Sequence, residues 1–283
     1  MSTIRVMSHN KWNCDKNRPA WEEMGLDCSA AHREHGFIRV YQETQPDIIG
    51  CQEITPNMND LMMRYLHNAG MHYALLWGKF TPIVYRPDKF ELVDSDFILY
   101  PSECPGFEGC FNDCDSKSCA LAVFRVKETG KLFIFVTTHL WWKKSNPAVS
   151  PQHYQAGSDE ARVYQISMLI ARADEYQKKY NCPVIVVGDL NTRYNTPALN
   201  YAFSQGFVHA HNIAVEYADE TSGHHVCGPN GFQPYNDDKF IDAIDHILVR
   251  NAPDGFVRRF DRYSPEYYLP LSDHSPVFAD IEL

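Results

Sequence analysis

The chain has 283 residues, of which 44% are hydrophobic and 22% are charged, and its formal net charge is -10. A chain of this size and composition can bury one large core, and we expect residues 1–283 to form a single domain. The acidic balance argues against a broad basic face for duplex nucleic acid, although it leaves room for a local basic groove.

Targeting and redox signals are weak in this sequence. No apolar run reaches the roughly 18 residues of a membrane-spanning helix, and the first six residues lack the pattern of a secretory signal. The expected location is the cytoplasm, or outside the cell where a leader has been removed. The nine cysteines are an odd number in a chain without a visible leader, and they are interpreted as free thiols rather than as a disulfide framework. The spacings between Cys104 and Cys119 do not match a structural zinc site, so these four are interpreted as unpaired or occasionally bridged.

Periodicity in the first half of the chain predicts alternating strands and helices. A strand over 4–8 is followed by a helix over 33–45, which Pro46 ends, and by a buried strand over 48–51. Pro56 then begins a helix that runs to Asn68. Further strands are predicted over 82–85, 90–99, 120–126 and 132–138, the last two joined by a hairpin turn at 127–130.

The second half contains the longest predicted helix, over 158–180, in which Ile166, Leu169, Ile170 and Ala173 keep helical spacing. A buried strand over 184–187 and a short helix over 197–205 follow it. The last strands are predicted over 244–249 and 277–281. The stretch 207–240 is interpreted as long functional loops.

Reactive side chains follow most of these strands at the point where the apolar run stops. The ends of strands are where open α/β sheets gather their chemistry. Hard oxygen ligands and imidazoles predominate, which indicates a metal or phosphate site. The residues concerned are Asn10, Gln52, Glu53, His139, Asp189, Asn191, Asp245, Ser272, Asp273 and His274.

Together these motifs resemble the endonuclease/exonuclease/phosphatase superfamily of deoxyribonuclease-like, metal-dependent phosphohydrolases. They occur in the family's order across nearly the whole chain. The resemblance implies a four-layer α/β/β/α sandwich, made of two mixed, mostly antiparallel sheets flanked by helices. The matching segments are Asn10, 46–53, 138–140, Arg162 with Gln165, 188–191, 244–247 and 272–277.

The resemblance also implies a divalent metal, Mg²⁺ or Mn²⁺. Glu53 is the carboxylate expected to hold the ion, and Asn10 and Asp273 are expected to complete or orient its ligand shell. Oxygen ligands of this kind suit a hard cation that keeps several waters.

The catalytic residues implied by the resemblance are His274, Asp245, Asp189, Asn191 and His139. His274 faces the phosphate or the attacking water, and Asp245 orients its imidazole. Asp189 is catalytic, as a general base, a second metal ligand or a leaving-group acid. Asn191 and His139 are expected to donate hydrogen bonds to phosphoryl oxygens.

The candidate substrate-binding residues are Trp141, Trp142, Lys143, His225 and Arg162. The two tryptophans and the lysine follow His139 directly and would stack on bases and attract phosphates; the alternative is a hydrophobic lid on the core. His225 is either a substrate contact or a surface histidine. For Arg162 the resemblance implies a brace behind the site, and the alternative is a solvated helix residue.

The predicted function is metal-dependent hydrolysis of phosphate esters, as a phosphodiesterase, an endonuclease or exonuclease, or a phosphatase. The tryptophans favour a nucleotide or single-stranded nucleic acid as substrate. The alternatives are a lipid or inositol head group and, since every expected site residue is present, less strongly an inactive binding module. We expect a monomer without a membrane span.

Overall fold

The structure is a computed structural model that describes residues 2–13, 19–218, 225–228, 231–234 and 243–283, with 19–20, 225–228 and 231–234 described by their backbone alone. Its helices are α1 (Pro19–Glu23), α2 (Ala30–Thr44), α3 (Pro56–Asn68), α4 (Ser158–Tyr180), α5 (Pro197–Ser204) and α6 (Ala210–Ile213). Its strands are β1 (Thr3–Asn10), β2 (Ile48–Gln52), β3 (Ala74–Leu76), β4 (Ile83–Tyr85), β5 (Phe90–Leu99), β6 (Ser118–Val126), β7 (Leu132–His139), β8 (Val184–Asp189), β9 (Val208–His209), β10 (Glu216–Tyr217), β11 (His225–Gly228), β12 (Gly231–Pro234), β13 (Asp245–Arg250), β14 (Val257–Arg262) and β15 (Val277–Glu282).

Thirteen of these strands form two large mixed sheets, and β11 with β12 form a separate two-stranded sheet. Sheet I has seven strands in the order β10-β14-β15-β1-β2-β4-β3, and sheet II has six in the order β5-β6-β7-β8-β13-β9. Among the described strands, parallel pairing is confined to β1 with β2, β7 with β8 and β10 with β14. The predicted mixed and mostly antiparallel sheets are therefore confirmed.

Three apolar cores separate four layers. The first lies between the sheets, where Val6 and Ile281 of sheet I meet Phe135 and Val187 of sheet II. The second buries the outer face of sheet II under α4 and α5, and the third buries the outer face of sheet I under α2 and α3. The α/β/β/α order follows from these cores, because each sheet buries both faces and each helix buries one apolar face.

Register brings the reactive strand ends to one edge of the sandwich. Asn10 lies beside Gln52 in the parallel pair β1 and β2, and His139 lies beside Asp189 in the parallel pair β7 and β8. Asp245 begins β13 directly opposite Asp189 in an antiparallel pair. Five side chains from five strands thus collect at one rim.

The two sheets approach closely near this rim at Gly50 of β2. A Cβ atom on Gly50 would lie 2.4 Å from Cγ2 of Val187 and 2.7 Å from Cβ of Thr137. No side chain fits there without displacing sheet II. Glycine at this position therefore lets the ends of β2, β7 and β8 share one site.

The interpretation of 207–240 as loops is wrong for part of that stretch. It contains β9, α6, β10 and a hairpin of β11 with β12, while residues 219–224, 229–230 and 235–240 lie outside the description. Elements of two to four residues are too short to show periodicity. Strand β14 also escaped prediction, because four of its six residues are charged.

Two expectations from composition can be compared with the fold. No disulfide joins any of the seven cysteines whose side chains the structure describes, and their redox state stays a prediction. Within the described ranges, no helix is both long and apolar enough to cross a membrane.

Candidate active site

Asp189, the last residue of β8, lies at the centre of the cluster and is 2% exposed. Its Oδ2 accepts a hydrogen bond from Nδ2 of Asn10 at 3.0 Å and lies 3.3 Å from Nε2 of His139 and 3.9 Å from Nε2 of His274. Its Oδ1 accepts from the backbone N–H of Asn191 at 2.9 Å. One carboxylate thus joins three neighbouring segments of the rim.

Charge keeps Asp189 ionised. Burial alone would raise the pKa of this carboxyl, but the charges of His274 and Lys117 and the hydrogen bond with His139 outweigh burial and hold its pKa well below the usual range. The side chain is therefore an anion at neutral pH.

His274 and Asp245 form a buried pair, in which Nδ1 of His274 lies 2.8 Å from Oδ2 of Asp245. Burial would lower the pKa of His274, but the carboxylates of Asp245 and Asp189 raise it to about 10. Burial also raises the pKa of Asp245, to about 6, so the two groups compete for one proton. We place that proton on His274, because Asp189 adds a second negative charge beside the imidazole.

Further hydrogen bonds fix the loop before β15, which carries His274. The hydroxyl of Tyr268 donates to the backbone carbonyl of His274 at 2.7 Å, and it lies 2.8 Å from Nε2 of the buried His9. Ser272 donates from Oγ to the carbonyl of Asn10 at 2.8 Å. These contacts tie the loop before β15 to the end of β1 and so position the His274 ring.

His139, the last residue of β7, has a cationic neighbour as well as Asp189. Nζ of Lys117 lies 2.7 Å from Nε2 and 3.3 Å from Nδ1 of His139. Burial and the charge of Lys117 lower the pKa of His139 despite Asp189, so this imidazole is uncharged at neutral pH. The two site histidines therefore carry different charges.

Backbone strain accumulates at the same rim. Trp12, Glu53 and Asn191 have φ angles of 50°, 60° and 50°, and each follows the end of a strand by one or two residues. Left-handed backbone costs about 1–2 kcal/mol for a residue with a side chain. Strain of this kind is typical of functional sites, where it directs a side chain; here it directs Glu53 and Asn191, whose Nδ2 donates to the carbonyl of Leu140 at 3.1 Å.

The proposed metal ligands lie at this rim, but they do not form a preformed cage. In the part of the chain that the structure describes, no three His, Cys, Asp or Glu side chains are arranged to hold an ion. Oε2 of Glu53 accepts from the backbone N–H of Asn13, and Oδ1 of Asn10 accepts from that of Trp12, both at 3.0 Å. Oδ1 of Asp273 lies 4.0 Å from Nε2 of His274.

This donor set fits a hard divalent cation. Carboxylate and amide oxygens have more than one lone pair, so an oxygen that accepts one backbone N–H can also bind an ion. Mg²⁺ commonly uses only one or two carboxylates and keeps several waters. Glu53, Asn10 and Asp273 supply the required oxygens, and the surrounding carboxylates favour a cation.

The segment after His139 is placed differently from the sequence-based expectation. Trp141 is 1% exposed and packs with Phe111 and Ala161 in a small separate core, so it offers no face for stacking. Trp142 is half-buried, and Nζ of Lys143 lies 5.9 Å from the centre of its ring. The hydrophobic-lid alternative therefore describes Trp141, whereas Trp142 and Lys143 remain at the lip.

Arg162 and Gln165 of α4 brace this segment from behind. The Arg162 side chain is buried, and its Nη1 donates to the carbonyls of Trp141 and Lys143 at 3.0 and 2.8 Å. Gln165 accepts from the Trp141 N–H at 2.8 Å. Arg162 is thus a support for the loop, and its inclusion among substrate-contacting residues is not supported by its burial.

Two more residues, His225 and Lys117, bear on the predicted site. The side chain of His225 lies outside the described part of the chain, so its expected substrate contact stays a prediction. Lys117 is a site residue that the sequence reasoning missed. The signal was available, because counting back from the predicted hairpin turn at 127–130 places residue 118 opposite His139.

Comparisons with known proteins agree with this geometry. The sequence matches the endonuclease/exonuclease/phosphatase family model over residues 12–274, whereas the comparison with curated proteins gave no match. The fold is similar to that of an endonuclease/exonuclease/phosphatase family protein from Bacteroides thetaiotaomicron, with a TM-score of 0.74 and 20% identity over 99% of this chain and 98% of that chain.

Two further solved structures are similar over the whole chain. A mannosyl-6-phosphatase from Bacteroides thetaiotaomicron has a TM-score of 0.73 and 22% identity, covering 99% of this chain and 100% of that chain. D. rerio TDP2 complexed with a single strand DNA product has a TM-score of 0.68 and 17% identity, covering 100% of both chains. At these identities the similarity shows the fold.

Proposed function

Because the chain belongs to the endonuclease/exonuclease/phosphatase family, whose members hydrolyse phosphate esters, we propose that it is a divalent-metal-dependent hydrolase of phosphate esters. The observation that supports this most strongly is the position of Asp189, whose Oδ2 lies 3.0, 3.3 and 3.9 Å from nitrogens of Asn10, His139 and His274. An ionised carboxylate, a charged imidazole and an uncharged imidazole meet there. We take residues 1–283 as one catalytic domain.

Each of these residues has a chemical task in the proposed reaction. Hydrolysis requires that a water lose a proton and that charge on the phosphoryl oxygens be stabilised. Asp189 is ionised and is the carboxylate that we propose to accept the water's proton. His274 would donate a hydrogen bond from Nε2 to a phosphoryl oxygen, with Asp245 holding its ring. Asn191 would donate its second amide proton to another phosphoryl oxygen.

The proposed metal belongs beside these groups. When bound, Mg²⁺ or Mn²⁺ would polarise the phosphoryl group and neutralise its negative charge. Glu53, Asn10 and Asp273 are the residues that we propose to hold it. The negative charge of Glu53 and Asp273 makes the ion necessary, because a phosphate would otherwise meet carboxylates at this rim.

For the substrate, we propose a nucleotide or single-stranded nucleic acid. Trp142 and Lys143 support this class, because an aromatic ring next to a cation can stack on a base and bind its phosphate. The similar fold of D. rerio TDP2, solved with a single strand DNA product, is compatible with it. A phosphorylated sugar is the second candidate, supported by the fold of the mannosyl-6-phosphatase and by the burial of Trp141, which removes half of the expected stacking surface.

The test is a substrate panel assayed with Mg²⁺, with Mn²⁺ and with EDTA. It contains single-stranded DNA and RNA, mononucleotides, mannose 6-phosphate, inositol phosphates and sphingomyelin. We expect hydrolysis that EDTA abolishes, and a loss of about a hundredfold or more in kcat for His274→Ala. His72→Ala, at an exposed position, is the matched control and should keep wild-type activity.

The outcomes separate the components of the proposal. Hydrolysis that persists in EDTA would reject the metal, and near-normal turnover of His274→Ala would reject the assigned site. Cleavage of the lipid or inositol esters alone would overturn the proposed substrate class. If no ester were cleaved, a binding module without catalysis would be the better description.

A further inference from the structure

His246 and His209 are buried side by side behind the rim of the candidate site. His246 follows Asp245 in β13 and lies opposite Gly188 of β8, so by strand alternation its ring lies on the other face of sheet II from the Asp245 carboxylate. His209 ends β9, the strand that pairs with the other edge of β13. None of the proposed catalytic steps uses either imidazole.

Hydrogen bonds join the two imidazoles to the loop that carries Asn191. Nε2 of His209 lies 3.0 Å from Nδ1 of His246, and Nε2 of His246 lies 2.8 Å from the backbone carbonyl oxygen of Thr192. At the other end, the backbone N–H of His211 donates to Nδ1 of His209 at 3.2 Å. The two rings therefore connect the start of α6 to the residue directly after Asn191.

The number of ring protons fixes the direction of these hydrogen bonds. Burial lowers the pKa of both imidazoles, that of His246 to about 4, so each ring is uncharged at neutral pH and carries one N–H. Nδ1 of His209 accepts from a backbone N–H, so the proton of this ring is on Nε2 and is donated to Nδ1 of His246. His246 must then carry its own proton on Nε2, from which it donates to the Thr192 carbonyl.

The loop between β8 and α5 needs an anchor because its backbone is strained. Asn191 and Asn195 have φ angles of 50° and 64°, and left-handed backbone persists only where the surrounding structure holds it. On one side, the Asn191 N–H donates to Oδ1 of Asp189 at 2.9 Å. On the other side, the hydrogen bond from His246 holds the carbonyl of the next residue. The Asn191 amide, which also donates to the Leu140 carbonyl, is thereby kept at the rim.

We propose that His246 is a positioning residue for Asn191, and that His209 holds the His246 ring in place. The inference rests on the proposed function, in which the second amide proton of Asn191 is donated to a phosphoryl oxygen. That hydrogen bond strengthens as charge builds up on the oxygen in the transition state. A misplacement of about 1 Å can cost on the order of a hundredfold in rate, and the loss would fall on kcat more than on KM.

The competing explanation is that the two histidines only pack β9 and α6 against β13. Packing alone would change stability, and any effect on activity would be the same whether or not residue 191 is an asparagine. A positioning residue acts through the Asn191 amide, so the effect of replacing His246 disappears once that amide is removed. A double-mutant cycle separates the two roles.

The experiment compares three His246 variants that differ in the contact they keep. His246→Phe keeps the ring and removes both nitrogens. His246→Asn places an amide where Nδ1 was and cannot reach Thr192, whereas His246→Gln places a donor where Nε2 was. On the best substrate of the panel, we expect the Phe and Asn variants to lose about tenfold or more in kcat with little change in KM, and His246→Gln to recover most of that loss.

The cycle is completed with Asn191→Ala and the double variant His246→Phe/Asn191→Ala. In the Asn191→Ala background, His246→Phe should have no further effect on kcat. Leu248→Val is the matched control, because this buried residue lies two positions further along the same face of β13 and packs in the same core layer. It should lose stability and keep the wild-type kcat.

An NMR measurement tests the contacts without catalysis. Long-range proton–nitrogen correlations of the imidazoles should show His246 protonated on Nε2. The side-chain amide signals of Asn191, identified by their loss in Asn191→Ala, should shift in His246→Phe and His246→Asn and stay near their wild-type positions in His246→Gln.

These outcomes are distinct from those for the proposed function. If the wild type is active, the inference is overturned when His246→Phe and His246→Asn keep the wild-type kcat, or when His246→Phe loses activity equally in both backgrounds. Where the Phe variant folds poorly, His246→Asn against His246→Gln gives the same comparison. If the wild type hydrolyses nothing, unchanged Asn191 amide signals in His246→Asn, or a His246 proton on Nδ1, would still reject the positioning role.

Discussion

At the scale of single residues, the two histidines of the site differ in charge because their neighbours differ. His274 faces the carboxylates of Asp245 and Asp189, and its pKa is raised to about 10 although burial opposes this. His139 shares Asp189 but touches Lys117, and its pKa is lowered by burial and by that cation. His274 in the loop before β15 is thus an imidazolium, whereas His139 at the end of β7 is an uncharged imidazole. The two pKa values differ because the second neighbour is an anion for His274 and a cation for His139.

Replacing Asp245 by Asn tests the origin of the His274 charge. The amide oxygen can still accept from Nδ1, but the negative charge is gone, so we expect the pKa of His274 to fall by at least one unit. One unit corresponds to about 1.4 kcal/mol. The measurement is an NMR titration of the imidazole in metal-free protein, with Asp254→Asn, at an exposed position, as the control. An unchanged pKa in Asp245→Asn would show that Asp245 does not set the charge.

The same shift fixes a dependence of stability on pH. A histidine whose pKa is raised from 6.5 to about 10 on folding stabilises the fold fully below pH 6.5, and this contribution disappears as the pH rises through about 10. The stability of the wild type relative to Asp245→Asn should therefore decrease over that interval. Urea denaturation of metal-free protein at several pH values measures it, and a difference that grew with pH would contradict the assignment.

At the scale of elements, helix α4 holds the lip of the site through buried polar contacts. Arg162 donates to two carbonyls of the loop after β7, and Gln165 bonds Trp141 and the carbonyl of Phe111. These bonds satisfy backbone groups that would otherwise be buried without partners. The loop that carries Trp142 and Lys143 thereby has a fixed base.

Replacing Arg162 by Met should loosen that base. Two loop carbonyls and Asp159, which pairs with Arg162 at 2.5 Å, would lose their donor, so we expect a loss of roughly 2 kcal/mol or more in the free energy of unfolding. Hydrogen exchange of the Trp141 amide should become faster. Arg172→Met in the same helix is the matched control, because that guanidinium pairs at the surface with Asp96 and Glu175 and is worth about 1 kcal/mol or less. Equal exchange in both variants would rule out the brace.

Several elements were predictable because the relevant signal is local. Helices α3 and α4 begin and end where periodicity and a proline or an acidic first turn place them, and the family and two-sheet fold inferred from the strand-end motifs are confirmed. The two-residue strands β9 and β10 lack any such signal, since their pairing with β13 and β14 is what defines them.

The parts of the site that escaped prediction depend on packing rather than on spacing. Trp141 and Trp142 are adjacent residues of the same type. The Trp141 ring nevertheless packs in a core with Phe111, whereas the Trp142 ring stays at the lip. Nothing local distinguishes them, because the choice is made by α4 and by the loop around Phe111. Lys117 likewise gains its place from the register of β6 with β7, which a motif search does not consider.

At the scale of the whole molecule, negative charge gathers where the substrate is proposed to bind. The chain carries a formal charge of -10, and four of its carboxylates lie at one rim of the sandwich. A phosphate ester approaching this rim is repelled unless cations neutralise it. Lys117 and His274 supply part of that charge, and we expect a divalent metal to supply the rest. The four carboxylates are Glu53, Asp189, Asp245 and Asp273.

Metal binding should therefore stabilise the fold, in a manner that depends on Glu53. A ligand at 100 times its dissociation constant contributes about 2.7 kcal/mol, which for a chain of this size corresponds to a rise in Tm of roughly 5 °C. We expect Mg²⁺ and Mn²⁺ to produce such a rise in the wild type and not in Glu53→Gln, whose amide oxygen can still accept from the Asn13 N–H. Glu91→Gln, at an exposed residue that pairs with Arg125, should respond like the wild type. An equal rise in the Tm of Glu53→Gln would place the ion elsewhere. If the Tm rose in no variant, tight binding of the metal to the free protein would be rejected, and only binding of the metal together with substrate would be left.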